Sequence, residues 1–177
     1  MKKIAKYSNG NIKIEEYWEN NKRHREDGPA EIHYHISGKI TAEYYYINGN
    51  LHRTDGPAMI RYYENGKIRF ECYFIEGKHH REDGPATLSY YKNGDLCYKE
   101  YHLNGEQHKS DGPAYISYYQ NGNIEVETYY QNNKLHRLDG PAIIYYFNDG
   151  KVENKIYVIN EKIYHDLFLY SVAAGSY

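Results

Sequence analysis

With 177 residues the chain has the length of one domain or one repeat array, enough to bury a core. Leu, Ile, Val and Phe make up 33 of them, just under the fifth below which disorder becomes a live reading, but a formal charge of only −2 excludes a highly charged disordered chain. The near-neutral balance also excludes a general pull toward nucleic acid or anionic lipid, and 24 tyrosines supply the missing apolar bulk in a form suited to half-buried pleated surfaces.

The chain starts MKKIAKYSNG. No apolar run follows the lysines, so the start does not read as a secretory signal. No stretch approaches the ~18 apolar residues of a transmembrane helix. The expected location is cytoplasmic. Cys72 and Cys97 occupy non-equivalent places in neighbouring repeats and read as two free thiols in a reducing compartment.

The string HRxDGPA, or a close variant, begins at His24, His52, His80, His108 and His136, a period of 28 residues without slip. The cation column is Arg25, Arg53, Arg81, Lys109 and Arg137. The acid column is Asp27, Asp55, Asp83, Asp111 and Asp139. Gly28-Pro29, Gly56-Pro57, Gly84-Pro85, Gly112-Pro113 and Gly140-Pro141 follow, each closed by an alanine from Ala30 to Ala142. A glycine column and a tyrosine column have six members each, from Gly10 to Gly150 and from Tyr17 to Tyr157, so residues 1–23 are half of a further repeat.

Within one unit, Ala58-x-Ile60-x-Tyr62 alternates with period two, as a half-buried strand does. Asn65-Gly66 then marks a hairpin, on the expectation that both residues take positive φ. A second strand is expected from about Lys67 to Ile75; Ile68 has the wrong parity for its face, which leaves a β-bulge and a two-sided strand both open. Another turn falls at Asn48-Gly49, Glu76-Gly77 or Asn104-Gly105. The run Leu51-His52-Arg53 then leads into Asp-Gly-Pro, a bend in which Asp caps the backbone, Gly supplies a permissive φ and Pro a fixed one. No helix period appears in residues 1–160. The expected fold is all-β: an elongated, twisted antiparallel β-hairpin array over residues 1–163, of about five and a half repeats. Residues 164–177 form the expected C-terminal cap, with Asp166 as N-cap of a helix from Leu167 to Ala174 closed by Gly175, and a strand as the competing reading.

Residues 62–86, YYENGKIRFECYFIEGKHHREDGPA, resemble the MORN repeat family in its variant form, which has a tyrosine pair, Asn-Gly-Lys, a second strand and a closing Gly-Lys. The resemblance extends over residues 7–163, although the period is longer than the usual unit and HRxDGPA elaborates it. It implies a β-hairpin array without catalytic activity that binds proteins or, in some members, membranes; variant-repeat proteins also include toxin-neutralising components. In style the chain is similar to phage-borne inhibitors of type VI RNA-guided nucleases (anti-CRISPR proteins), though no residue is a signature for them.

His52 and Asp55 have the residue types of an acid–base pair, but one reaction does not explain five copies in register. Metal binding fails on spacing: repeats of two or three strands at ~4.8 Å place equivalent histidines roughly 10–14 Å apart, whereas ligands on one zinc each sit ~2.0–2.1 Å from it. The local pairs His33/His35 and His79/His80 lack a matching Cys or carboxylate set. The cation column with interleaved tyrosines suits single-stranded RNA, yet each cation is followed two residues later by Asp. Neither a basic face nor an amphipathic helix for membranes is visible. Protein binding remains, with an RNA-guided nuclease or a toxin as candidate partner and neither enzyme activity, metal nor cofactor expected. The surface expected to serve it combines the cation column with columns that vary between repeats: Glu31, Met59, Thr87, Tyr115, Ile143, and His33, Arg61, Ser89, Ser117, Tyr145.

Overall fold

The computed structural model describes residues 1–165 and 167–175. One unit shows how the rest is built. Strands Met59–Tyr62 and Ile68–Cys72 run antiparallel, pairing Met59 with Cys72, Ile60 with Glu71 and Arg61 with Phe70; Tyr62 then pairs with Ile68, which leaves Arg69 as an extra residue. The parity conflict at Ile68 is therefore a β-bulge, and it recurs at the equivalent place in every long hairpin from Lys2–Lys6 onward.

The Asn-Gly turn differs from expectation. Only Gly66 has positive φ (83°), and its N–H donates to Tyr63 O at 2.9 Å, so the loop is a three-residue turn with a glycine bulge. Asn65 acts through its side chain, accepting the Lys67 N–H at Oδ1. The two-residue loops with both φ positive are the other turns: Asn48-Gly49 (52° and 86°), Glu76-Gly77 (50° and 78°) and Asn104-Gly105 (54° and 91°). They close a second, smaller hairpin in each unit, such as Phe74–Ile75 with Lys78–His79. The long second strand expected to reach Ile75 breaks at Tyr73. There the backbone turns to bond Ala86 O at 2.8 Å through its N–H and to accept the His80 N–H at 3.1 Å.

Two tiers result. In the first, Ile68–Cys72 also pairs with Thr87–Tyr90 of the next unit, so each repeat adds two strands to one open sheet running from Lys2–Lys6 to Val152–Ile159, with Lys162–Tyr164 beyond. In the second, the small hairpins join one another: Gly77 N–H donates to Leu51 O at 2.8 Å and Gly105 N–H to His79 O at 2.7 Å. Where the tiers meet, Ala30, Ala58, Ala86, Ala114 and Ala142 are fully buried. Ala58, Cys72 and Phe74 form a core cluster with Leu51, Met59 and Phe70 packed on it. Both cysteines are free, and burial pushes the Cys72 thiol up to about 11.

The tail carries a helix, Leu167–Ala174, lying against Val152–Ile159 and Lys162–Tyr164. It ends at Gly175 with φ 72°, a left-handed C-terminal position that favours glycine. The expected N-cap, Asp166, lies outside the described residues. Among the described residues no helix is long and apolar enough to cross a membrane.

Candidate functional site

The motif side chains are engaged within their own bend or on the next repeat. Each motif histidine accepts, through Nδ1, a backbone N–H from 24 residues on. Asn48 donates to His24, Glu76 to His52, Asn104 to His80 and Asn160 to His136, all at 3.1 Å, and Asn132 donates to His108 at 3.3 Å. The donor is always the first positive-φ residue of a small-hairpin turn, where a side chain must supply what the ladder does not. Histidine therefore ties one repeat to the next.

The cation is held on three sides. Nε of Arg25, Arg53, Arg81 and Arg137 donates to Oδ1 of Asp27, Asp55, Asp83 and Asp139 at 2.7 Å. Nη1 reaches the carbonyls of Pro29, Pro57, Pro85 and Pro141 at 3.3–3.4 Å. The guanidinium lies 3.9–4.1 Å from the ring centroids of Tyr17, Tyr45, Tyr73 and Tyr129. Lys109 does the same work more loosely, 3.6 Å from Asp111 and 4.6 Å from the Tyr101 centroid. The arginine beside it holds each of these four Asp carboxyls below the usual range.

The far side of the guanidinium explains the motif glycine, and it corrects the expectation of a permissive φ. Gly28, Gly56, Gly84, Gly112 and Gly140 do not have left-handed φ; a Cβ on Gly84 would stand 3.1 Å from Arg81 Cζ. Glycine is there for close approach. Gly84→Ala is expected to cost about 1–3 kcal/mol, and the cost is expected to shrink in an Arg81→Ala background; a double-mutant cycle in urea measures the coupling.

Two tyrosine columns complete the joints. Tyr7, Tyr63, Tyr91 and Tyr119 donate to the carbonyls of Tyr34, Tyr90, Tyr118 and Tyr146 in the following repeat at 2.6–2.8 Å. Tyr62, Tyr90 and Tyr146 donate back to Glu43, Glu71 and Glu127 at 2.5–2.9 Å. Burial, then the Glu127 carboxylate, pushes the Tyr146 phenol up to about 12, and the same causes raise Tyr62 and Tyr90. A phenol raised on folding stabilises fully below its ordinary value of about 10. That stability is lost as pH rises through the folded value, so alkaline unfolding is expected between about 10 and 12. Absorbance titration of Glu127→Gln should show one tyrosine ionising earlier than in the parent protein.

Residues 58–76 and 114–135 match the MORN repeat variant model. The two matched stretches start at equivalent alanines, two periods apart; the first spans a long hairpin and enters the small one, and the second spans both. No curated protein matches the chain. The MORN-variant likeness thus rests on the hairpins, while the HRxDGPA bends lie outside the matched stretches.

The structure separates the expected surface residues. The acid–base pair is not assembled: Asp55 is bound by Arg53, and His52 Nδ1 by the Glu76 amide. His33 bonds Glu31 at 2.5 Å, and His35 bonds Ser37. Shallow clefts of ≈ 380 to ≈ 630 Å³ lie between consecutive bends, lined by the ion pairs of two neighbouring motifs. The motif cations are thus neutralised and mostly covered; the Arg53 side chain is 24% exposed and Asp55 79%. Of the first variable column, Glu31 and Thr87 are buried, and Met59 packs on the core cluster.

The second variable column stands differently. Its members alternate across the sheet with Ala42, Phe70, Tyr98, Val126 and Asn154, giving one continuous row: His33, Ala42, Arg61, Phe70, Ser89, Tyr98, Ser117, Val126, Tyr145 and Asn154. Arg61 and Asn154 are exposed, His33, Phe70, Tyr98 and Tyr145 are half-buried, and Ala42 and Ser117 are buried. Tyr115 joins the row by stacking on Tyr98, ring centroids 5.8 Å apart. Phe70, Tyr98 and Val126 were missed from sequence, although their column also changes residue in every repeat.

Proposed function

We propose that the chain is a non-enzymatic module that binds another protein, and that the row from His33 through Arg61, Phe70, Tyr98 and Tyr145 reads the partner. One observation carries this. The side chains constant between repeats are engaged within their own bend or on the next repeat, whereas the second variable column and its strand partners stand in one row across a sheet face, with Arg61, Phe70, Tyr98 and Tyr145 at least partly open to solvent. Tyr, Phe and Arg on that face are the residue types that dominate interface energetics. The MORN-variant likeness supports a binding module. An RNA-guided nuclease or a toxin is an instance of such a partner. RNA is the weaker reading, because the cations that would track a backbone are paired with Asp.

The test is affinity capture with the parent chain and with Arg61→Glu/Tyr98→Ser/Tyr145→Ser. A single stoichiometric protein is expected with the parent, reduced at least tenfold with the variant at unchanged circular dichroism. Capture of RNA instead, released steeply by salt, would overturn the reading.

A further inference from the structure

The small hairpins contain one joint unlike the others. The residue ending one hairpin and the residue beginning the next occupy equivalent places along the tier: Arg23 and Tyr46, Leu51 and Phe74, His79 and His102, Gln107 and Tyr130; Arg23 lies over the Tyr46 ring, and Leu51 packs on the cluster that holds Phe74. At the third joint two imidazoles meet edge to face, centroids 4.9 Å apart at 89°. Phe74 closes the other side of His79 at 4.2 Å. Nε2 of His102 faces Glu100 Oε2 at 3.4 Å, and its Nδ1 is buried with no hydrogen-bond partner among the described residues.

We propose that His79 and His102 form an acid-sensitive latch between the hairpins Phe74–Ile75/Lys78–His79 and His102–Leu103/Glu106–Gln107. Edge-to-face packing of the two rings makes this joint much as the apolar side chains make the one before it. Adding protons gives each ring two N–H donors, and the buried Nδ1 of His102 has no acceptor to receive one. Two cations would then face each other with a single carboxylate, Glu100, to oppose them. The other polar neighbours do not relieve this. Tyr98 and Tyr115 stand beside Glu100 as neutral phenols held above their ordinary value, Gln107 carries no charge, and Lys78 and Glu106 are exposed one position along their strands. His80 is occupied by the Asn104 amide, with Glu82 3.7 Å from its Nε2.

Burial, then His102, holds His79 below the usual imidazole value. Because the unfolded chain takes up that proton more readily than the folded one, stability is present above about 6.5 and is lost as pH falls below it. Opening at this joint uncovers Phe74 and Cys72, both buried in the closed form.

The control is written in the chain itself: His79→Leu/His102→Phe reproduces the Leu51–Phe74 joint one repeat earlier. Hydrogen exchange and urea unfolding are compared between pH 7.5 and 5 for both proteins. The expected result is a roughly tenfold greater loss of protection at residues 74–79 and 102–107 in the parent than in the variant, with other joints changing equally. Parallel pH dependence in the two proteins would overturn the latch. If the double variant folds poorly, His102→Phe alone serves, and an unchanged pH response in it would be equally fatal.

Discussion

Replacing Ala86 with leucine is expected to destabilise the array by about 1–3 kcal/mol, read as a fall in the urea midpoint at constant m-value. Ala86 is fully exposed to neighbours and not at all to solvent, as are Ala30, Ala58, Ala114 and Ala142. Its carbonyl receives the Tyr73 N–H at 2.8 Å where the chain passes between tiers, so the backbone cannot retreat from a larger side chain. Ala114→Leu is expected to cost the same, because the repeats are equivalent. Ser89→Leu, three residues on and half-buried, is expected to cost under about 0.5 kcal/mol.

The second large effect comes from removing His52, His80 and His108 together. Each change to alanine leaves a turn amide, at Glu76, Asn104 or Asn132, without its acceptor, for about 1 kcal/mol each. The sites lie in separate repeats at roughly 10 Å steps, so the losses are expected to add to about 3 kcal/mol. The transition should also broaden, since the three changes weaken junctions between repeats and an array with weak junctions unfolds piecemeal. Calorimetric and van't Hoff enthalpies that diverge in the triple variant but agree in the parent would show this.

What was legible in the sequence follows from what each signal measures. The 28-residue period, the strand Met59–Tyr62 and the hairpin sites were readable because alternation and turn residues are local. The bulge at Arg69 was not decidable: an unpaired residue and a two-sided strand displace Ile68 in the same way along the chain, and only register distinguishes them. The small hairpin was half-visible. Its turn stood out at Glu76-Gly77, but its strands are two residues long, too short for any periodicity. The role of histidine was hidden for a different reason. Its partner is 24 residues away in the next repeat, and that proximity exists only once the small hairpins stack. Glycine in the motif was misjudged because sequence shows the missing side chain and not the guanidinium that fills its place. For the row proposed to bind, variation between repeats was visible in each column, but that Arg61 and Phe70 share a face depends on the bulge.

The central claim is that the five histidines are joints between repeats. Hydrogen exchange on the five single His→Ala variants tests it most directly. Loss of protection is expected at the turn 24 residues downstream of each substitution, similar in size in all five. One histidine whose removal leaves its downstream turn protected while abolishing an activity of the protein would contradict it.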